Sequence, residues 1–368
     1  MVKQLKTFIL NLIAGANIAV VVLMLLAGYS DHLSPAQYPW AETLGMVFPV
    51  LLLINMAFLI FWIVIKWKKV WIPIVGYVLA YVPISIYMPL NLRSTAPPDS
   101  TAGVIKVMSY NVCGYGGNFK YKDAFERIRD YIDAEQPHIV CIQEDFDTWR
   151  RYAFLHYGKT YPYNDTVFFS KTSSFPNAVG IHSKYPIVRR ERIAYESKNN
   201  GSVAYFLQVG SDTVLVVNNH FESTHLNDAD RKNYKSIIAG KMESDTMRAE
   251  SAVLMDKINK AAARRALQAE IVHKYIEEHS NYPVIVCGDF NDSPISYSRH
   301  IIAQGLTDCF VAAGNGIGLS YNQKGFFFRI DHVFCSHHFQ PLKCEVDAKI
   351  DFSDHYPLIC WLKMEDNY

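Results

Sequence analysis

The sequence predicts an α/β (α+β) chain in two parts, three apolar helices followed by two packed sheets flanked by helices. Three observations predict it. Half of the 368 residues are hydrophobic, and the excess is concentrated in the first quarter. About eleven short, β-branched runs follow against few amphipathic helices, which is too many strands for one doubly wound sheet. Finally, clusters of Asn, Asp, Glu and His recur at or just past the ends of those runs.

The apolar runs extend from Phe8 to Gly28, Leu44 to Ile65 and Val70 to Leu90, each free of charged side chains. Each is near the roughly 20 residues that cross a bilayer core, so residues 1–90 read as an anchor of three transmembrane helices. Lys3 and Lys6 precede the first run, Lys66, Lys68 and Lys69 separate the second from the third, and the loop holding Asp31 and Glu42 has no Lys or Arg. Basic residues near helix ends stay on the cytoplasmic side, so the pattern implies a multi-pass protein in the cell or inner membrane, with a cytoplasmic N-terminus and everything after Leu90 outside the cytoplasm. Trp40, Trp62, Trp67, Trp71, Tyr29 and Tyr38 flank the runs as interfacial residues do. A cleaved signal peptide is the alternative for the first run, although it is long for one and two further runs follow.

Residues 91–103, rich in Pro, Ser and Thr, read as a linker, and residues 104–368 as the second domain. Strands are expected at Val104 to Val112, His138 to Gln143, Val167 to Ser170, Ala178 to His182, Ile187 to Ala194 and Ala204 to Val209. Five more are expected at Thr213 to Asn218, Val284 to Cys287, Arg329 to Cys335, Leu342 to Val346 and Tyr356 to Trp361. Asp123 to Glu135 reads as a helix with Asp123 as N-cap and Phe125, Ile128, Tyr131 and Ile132 on one face. Residues 227–279 read as an insertion of two helices, either packed on the domain or lying against the membrane or the active site.

The second domain carries 30 basic and 33 acidic residues, a balance that argues against tight nonspecific nucleic-acid binding. The seven cysteines lie mostly in apolar runs without CxxC spacing, so buried thiols are expected, with a cross-strand disulfide as the alternative. His225, His337 and His338 read as surface residues and His332 as structural.

The polar motifs are Ser109-Tyr110-Asn111, Gln143-Glu144-Asp145, Asn219-His220, Gly288-Asp289-Phe290-Asn291, Arg329-Ile330-Asp331-His332 and Ser353-Asp354-His355. Such side chains suit a hard cation and phosphoryl chemistry, and strand ends converge at one sheet edge. Taken singly, each motif could be a turn or a cap. In order and spacing, VMSYNV, IVCIQED, GIHSKYPIV, VVNNHFES, VIVCGDFND, RIDHVF and DFSDHYPLI resemble the endonuclease/exonuclease/phosphatase family, over roughly residues 104 to 363.

The resemblance implies a four-layer αββα sandwich of two mixed sheets and a hydrolase that attacks a phosphoester with an activated water in line with the leaving group. It implies Mg²⁺ (or Mn²⁺) held mainly by Glu144, with Asn111 and Asp354 completing or supporting the site. Asp289, positioned by Asn291, would activate the water; His355, paired with Asp331, and His220 would stabilise the charge of the transition state. Asn219 stands where the family more often has Thr. The fold does not choose the substrate. A location at the bilayer ranks a lipid headgroup or small phosphoester first, a nucleic acid second, and an inactive binding scaffold last; no protein partner is inferable.

Overall fold

The computed structural model describes residues 2–92, 102–116, 121–145, 159–169, 177–238, 241, 243–323 and 328–365. The chain begins with helix α1 (Val2–Gly28), followed by α2 (Trp40–Met46), α3 (Phe48–Ile65), α4 (Trp71–Leu79) and α5 (Tyr81–Tyr87). The helices containing α1 and α3 are each long and apolar enough to cross a membrane. The third expected span is not one straight helix, because α4 and α5 meet at an angle of 62°. Pro83 explains the break: it has no N–H to give the Leu79 carbonyl one turn earlier, and its ring crowds that carbonyl. The Tyr29 hydroxyl donates to the Leu79 oxygen instead, at 2.8 Å.

Three buried polar side chains tie these helices together. Trp62 Nε1 donates to Asn17 Oδ1 (3.0 Å), Asn17 Nδ2 to Asn55 Oδ1 (3.1 Å), and Asn55 Nδ2 to the Pro73 carbonyl (3.1 Å). In apolar surroundings such bonds fix which helix faces meet.

The remaining chain folds into two six-stranded sheets. The first, in the order β11-β12-β1-β2-β4-β3, contains β1 (Val104–Asn111), β2 (Ile139–Gln143), β3 (Tyr163–Phe168), β4 (Ala178–Ser183), β11 (Phe339–Val346) and β12 (Leu358–Met364). The second, in the order β5-β6-β7-β8-β10-β9, contains β5 (Ile187–Ile193), β6 (Gly201–Val209), β7 (Asp212–His220), β8 (Val284–Asp289), β9 (Thr307–Asp308) and β10 (Asp331–Cys335). Each sheet is mixed, with one central parallel pair, β1 with β2 and β7 with β8. All eleven strands expected from the sequence are present with shifted ends, although Ser170 lies outside the described residues; only the two-residue β9 was not anticipated.

Residue parity explains the layers, since alternate side chains on a strand face opposite ways. Ile105, Val107, Cys141, Val216, Ile285, Cys287 and Val333 interdigitate between the sheets. Met108, Tyr110, Val140 and Ile142 face outward onto α6 (Ala124–Glu135), through its Ile128, Tyr131 and Ile132. Asp123 does not cap that helix through its side chain; it pairs with Arg127 at 3.0 Å. On the other side Phe206, Leu215, Val217 and Val286 pack against Ala269, Val272 and Ile276.

Those last residues belong to the segment between β7 and β8, which forms α7 (Asp228–Ile238) and the 35-residue α8 (Ser244–Glu278). Two short helices follow β8, α9 (Tyr297–Ile302) and α10 (Cys309–Ala313). All seven cysteines are free thiols, six of them buried.

The candidate active site

The inward parity that builds the core also builds the site. Asn111 continues the Ile105, Val107, Ser109 series of β1; His220 continues Val214, Val216, Asn218 of β7; Asp289 continues Ile285 and Cys287 of β8; and Asp331 precedes Val333 on β10. Strand register brings them side by side. His220 is opposite Asp289 in the parallel pair, and Asp331 is opposite Asp289 in the antiparallel one. The close approach of β7 and β8 requires Gly288, at φ 135°, because a Cβ there would run into the Asn219 carbonyl.

Asp289 is 1% exposed and is the hub. Its Oδ2 accepts from Asn111 Nδ2 (3.0 Å) and lies 3.7 Å from His220 Nε2 and 3.6 Å from His355 Nε2. Its Oδ1 accepts from the Asn291 backbone N–H (2.8 Å), while the Asn291 side-chain amide donates to the Phe221 carbonyl. Asn291 therefore positions the carboxylate through its backbone, at φ 52°, a left-handed conformation that Asn tolerates well.

The two histidines occupy different protonation states. Burial lowers His220 to about 4, so its ring is neutral; Asn177 Nδ2 donates to Nδ1 (3.1 Å), which leaves the proton on Nε2 facing Asp289. Burial also opposes charge on His355, but Asp331 and Asp289 override it and push the imidazole up to about 10. His355 Nδ1 donates to Asp331 Oδ2 at 2.8 Å. Donor atoms of Asp289, Asp331 and His355 lie within 4.8 Å of one another, with His355 between the two carboxylates at 3.6 Å and 2.8 Å.

Glu144 follows β2 at φ 56°, and its Oε1 accepts from Asn111 Nδ2 (3.3 Å). Burial and the neighbouring Asp354 push its carboxyl up to about 7, although 26% of the side chain stays open. A carboxyl raised by a neighbouring carboxylate in one pocket suits a hard divalent cation, so Glu144 and Asp354 fit the metal implied by the sequence. Asn111 turns its Nδ2 toward both Glu144 and Asp289 and accepts the Cys113 N–H on Oδ1 (3.0 Å), which makes it an orienting neighbour of the carboxylates.

A cavity of about 180 Å³ opens onto these groups, lined by Glu144, Asp289, Asn291, Asp354 and His355. Its other walls are Arg231, Tyr234, Leu254 and Ile258 from α7 and α8, and Glu42 and Met46 from α2. The insertion is therefore part of the active-site wall and also touches the apolar helices. Arg231 makes no ion pair among the described residues.

A family model described as Endonuclease/Exonuclease/phosphatase family matches residues 108–355. The chain belongs to that family. Its members are metal-dependent phosphoester hydrolases. Residues 10–87 separately match a domain of unknown function. Among solved structures, the catalytic domain of human nocturnin with bound sulfate is similar at a TM-score of 0.51 and 16% identity, covering 72% of this chain and 96% of that one. Sphingomyelinase C from Streptomyces griseocarneus gives 0.50 and 20%, covering 70% and 99%. The endonuclease/exonuclease/phosphatase from Beutenbergia cavernae gives 0.51 and 16%, covering 71% and 72%. At these identities the likeness is one of fold. No curated protein gives a sequence match.

Sequence reasoning gave no role to several residues of this family member that hold the site together. Asn177 fixes the His220 tautomer. Asn218 joins the sheets, donating to the Ile142 and Gly180 carbonyls and accepting from Gln143 Nε2 (2.7 Å). Asn219 does the same within one sheet, accepting from Ser202 Oγ and donating to the Cys287 carbonyl. Arg265 of α8 forms a buried pair with Asp292, 3.1 Å from Nη2 to Oδ1, and so pins the insertion to the segment after Asp289. Arg329 is wholly buried, donating to the Ile317 and Ile86 carbonyls at 2.7 and 2.6 Å. His225 and His337 are exposed as expected, but His338 is half-buried on Ser336 Oγ (3.0 Å).

Proposed function

We propose that the chain is a membrane-anchored hydrolase of a lipid headgroup or other membrane-resident phosphoester. The carrying observation is the composite pocket, in which the catalytic carboxylates and His355 share one cavity with Met46, Leu254, Ile258 and Arg231, which makes no ion pair among the described residues. A phosphate facing Arg231 with an apolar portion against those side chains matches both walls. A divalent cation, bound by Glu144 and Asp354, would supply charge neutralisation at the phosphate oxygens.

The chain's own residues would do the rest. Asp289, held by Asn111 and the Asn291 N–H, takes the proton of the attacking water. His355, charged and braced by Asp331, donates to a phosphate oxygen, and neutral His220 donates through Nε2. Both act where negative charge grows in the transition state. The three-span anchor, with a cytoplasmic N-terminus and the catalytic domain outside, belongs to the same proposal.

The test is hydrolysis by the full chain in detergent or vesicles, with Mg²⁺ or Mn²⁺, of sphingomyelin, phosphatidyl lipids, a water-soluble inositol phosphate and plasmid DNA. Turnover of the lipids above the soluble substrates supports the proposal. Preference for DNA would replace it with the nuclease reading. An alkaline phosphatase fusion after Arg93 should be active; inactivity there would place the domain in the cytoplasm.

A further inference from the structure

Away from the residues that line the catalytic pocket, the turn after α1 meets the sheet domain at three side chains, Asp31, His32 and His300. Asp31 is 4% exposed, yet its carboxylate accepts no hydrogen bond among the described residues, and its Oδ1 is buried without a partner. His300 Nδ1 lies 3.5 Å from Asp31 Oδ2 and His32 Nε2 lies 3.8 Å from Oδ1, both too long for hydrogen bonds. Buried charges are paired, hydrogen-bonded or bound to a metal, and an orphan carboxylate oxygen here calls for one of these.

The two imidazole rings also lie close together, 4.2 Å between centroids, on the same carboxylate. A single divalent ion held by both rings would compensate the carboxylate. The spacing agrees. Two donors about 2.0–2.1 Å from one ion at a tetrahedral angle are about 3.4 Å apart; His300 Nδ1 is 3.5 Å from Oδ2 and His32 Nε2 3.8 Å from Oδ1 of the same carboxylate. The three donor atoms also lie within 4.8 Å of one another.

We infer that Asp31, His32 and His300 form a second metal site, selective for Zn²⁺ or a similar first-row divalent ion, that clamps the loop after α1 to α9 of the sheet domain. Two imidazoles and one carboxylate suit such ions, whereas Mg²⁺ prefers oxygen ligands throughout. His32, with 56% of its side chain exposed, leaves room for water at the fourth position. The site is separate from the catalytic residues, and its role is to fix the domain on its anchor.

The full chain, purified in detergent and stripped with EDTA, should take up Zn²⁺ in calorimetry and in metal analysis after dialysis, with Mg²⁺ unable to displace it. A Glu144→Gln background weakens the catalytic metal site, so that uptake is assigned to these residues. There, Asp31→Asn, His32→Ala and His300→Ala should each weaken Zn²⁺ binding by more than about a hundredfold, as loss of a ligand should exceed loss of an outer partner. Co²⁺ should give tetrahedral absorption bands that the same variants abolish. Unfolding in EDTA should match the unsubstituted protein for exposed His32→Ala, separating ligand loss from misfolding. Zn²⁺ affinity in His32→Ala and His300→Ala equal to that of the Glu144→Gln protein alone, or no uptake in the Glu144→Gln protein, would overturn the assignment.

Discussion

His220 and Asp289 are register partners on adjacent parallel strands, and the neutral ring holds its protonated Nε2 3.7 Å from Asp289 Oδ2. With His355 Nε2 3.6 Å from the same oxygen, Asp289 Oδ2 faces two imidazoles whose environments favour different charge. Asp289→Asn should lower turnover of bis-p-nitrophenyl phosphate by about two to four orders of magnitude. Exposed His337→Ala should leave the rate unchanged. Retention of more than about a tenth of the activity by Asp289→Asn would move the base elsewhere.

Glu144→Gln should lose Mg²⁺ and Mn²⁺ binding while keeping the fold, because the substitution preserves volume and removes the charge. Calorimetry with both ions checks it, and equal affinity would mean that Asp354 or Asp289 is the principal ligand.

Asp331→Asn should reduce turnover less than His355→Ala. The imidazole keeps its place but loses the carboxylate on Nδ1 that favours its charged form. Measuring kcat and KM separately should put the loss in kcat for both.

Arg265→Ala should destabilise the protein by about 3–5 kcal/mol, because it strands Asp292 in the interior. Replacing both partners by apolar residues should recover much of that loss, as a removed pair costs less than a broken one. Chemical denaturation of the two variants decides whether the pair is a stability element or only a positional one.

Burial opposes ionisation of Asp308, but the Arg299 guanidinium, 2.8 Å away, holds its carboxyl below the usual range. A depressed folded value stabilises the protein above the unfolded value of about 3.9 and loses that contribution as pH falls through the folded value. Asp308→Asn should therefore flatten the acid limb of a stability-against-pH curve while keeping the helix cap on Phe310 and Val311. An unchanged acid limb would assign that loss to other carboxylates.

Much of this arrangement was legible in the sequence because local pattern and tertiary position coincide. Period-two alternation that makes Ile285 and Cys287 core also makes Asp289 face inward, so the side of the sheet could be read from the strand itself. Asn177 could not be found that way: a lone Asn after Phe-Pro reads as a turn residue, and its partner His220 is 43 positions away. Arg265 was hidden differently, since one more basic residue on a charged amphipathic helix reads as solvated until Asp292 is placed beneath it. The bend between α4 and α5 did have a local signal in Pro83, overshadowed by the uniform apolarity around it. For Asn291 the sequence named the residue but not the group, as only backbone geometry reveals that its peptide N–H holds Asp289.

Arg329 stands two residues before Asp331 and gives one guanidinium nitrogen to Ile86, which belongs to the apolar N-terminal region. Cutting the chain after that region would therefore act as a lesion within the catalytic segment, leaving a buried cation short of one acceptor immediately behind the His355 brace. A freestanding sheet domain is in this sense a different molecule from the anchored one, and its activity would measure the loss of that carbonyl as much as the loss of the membrane.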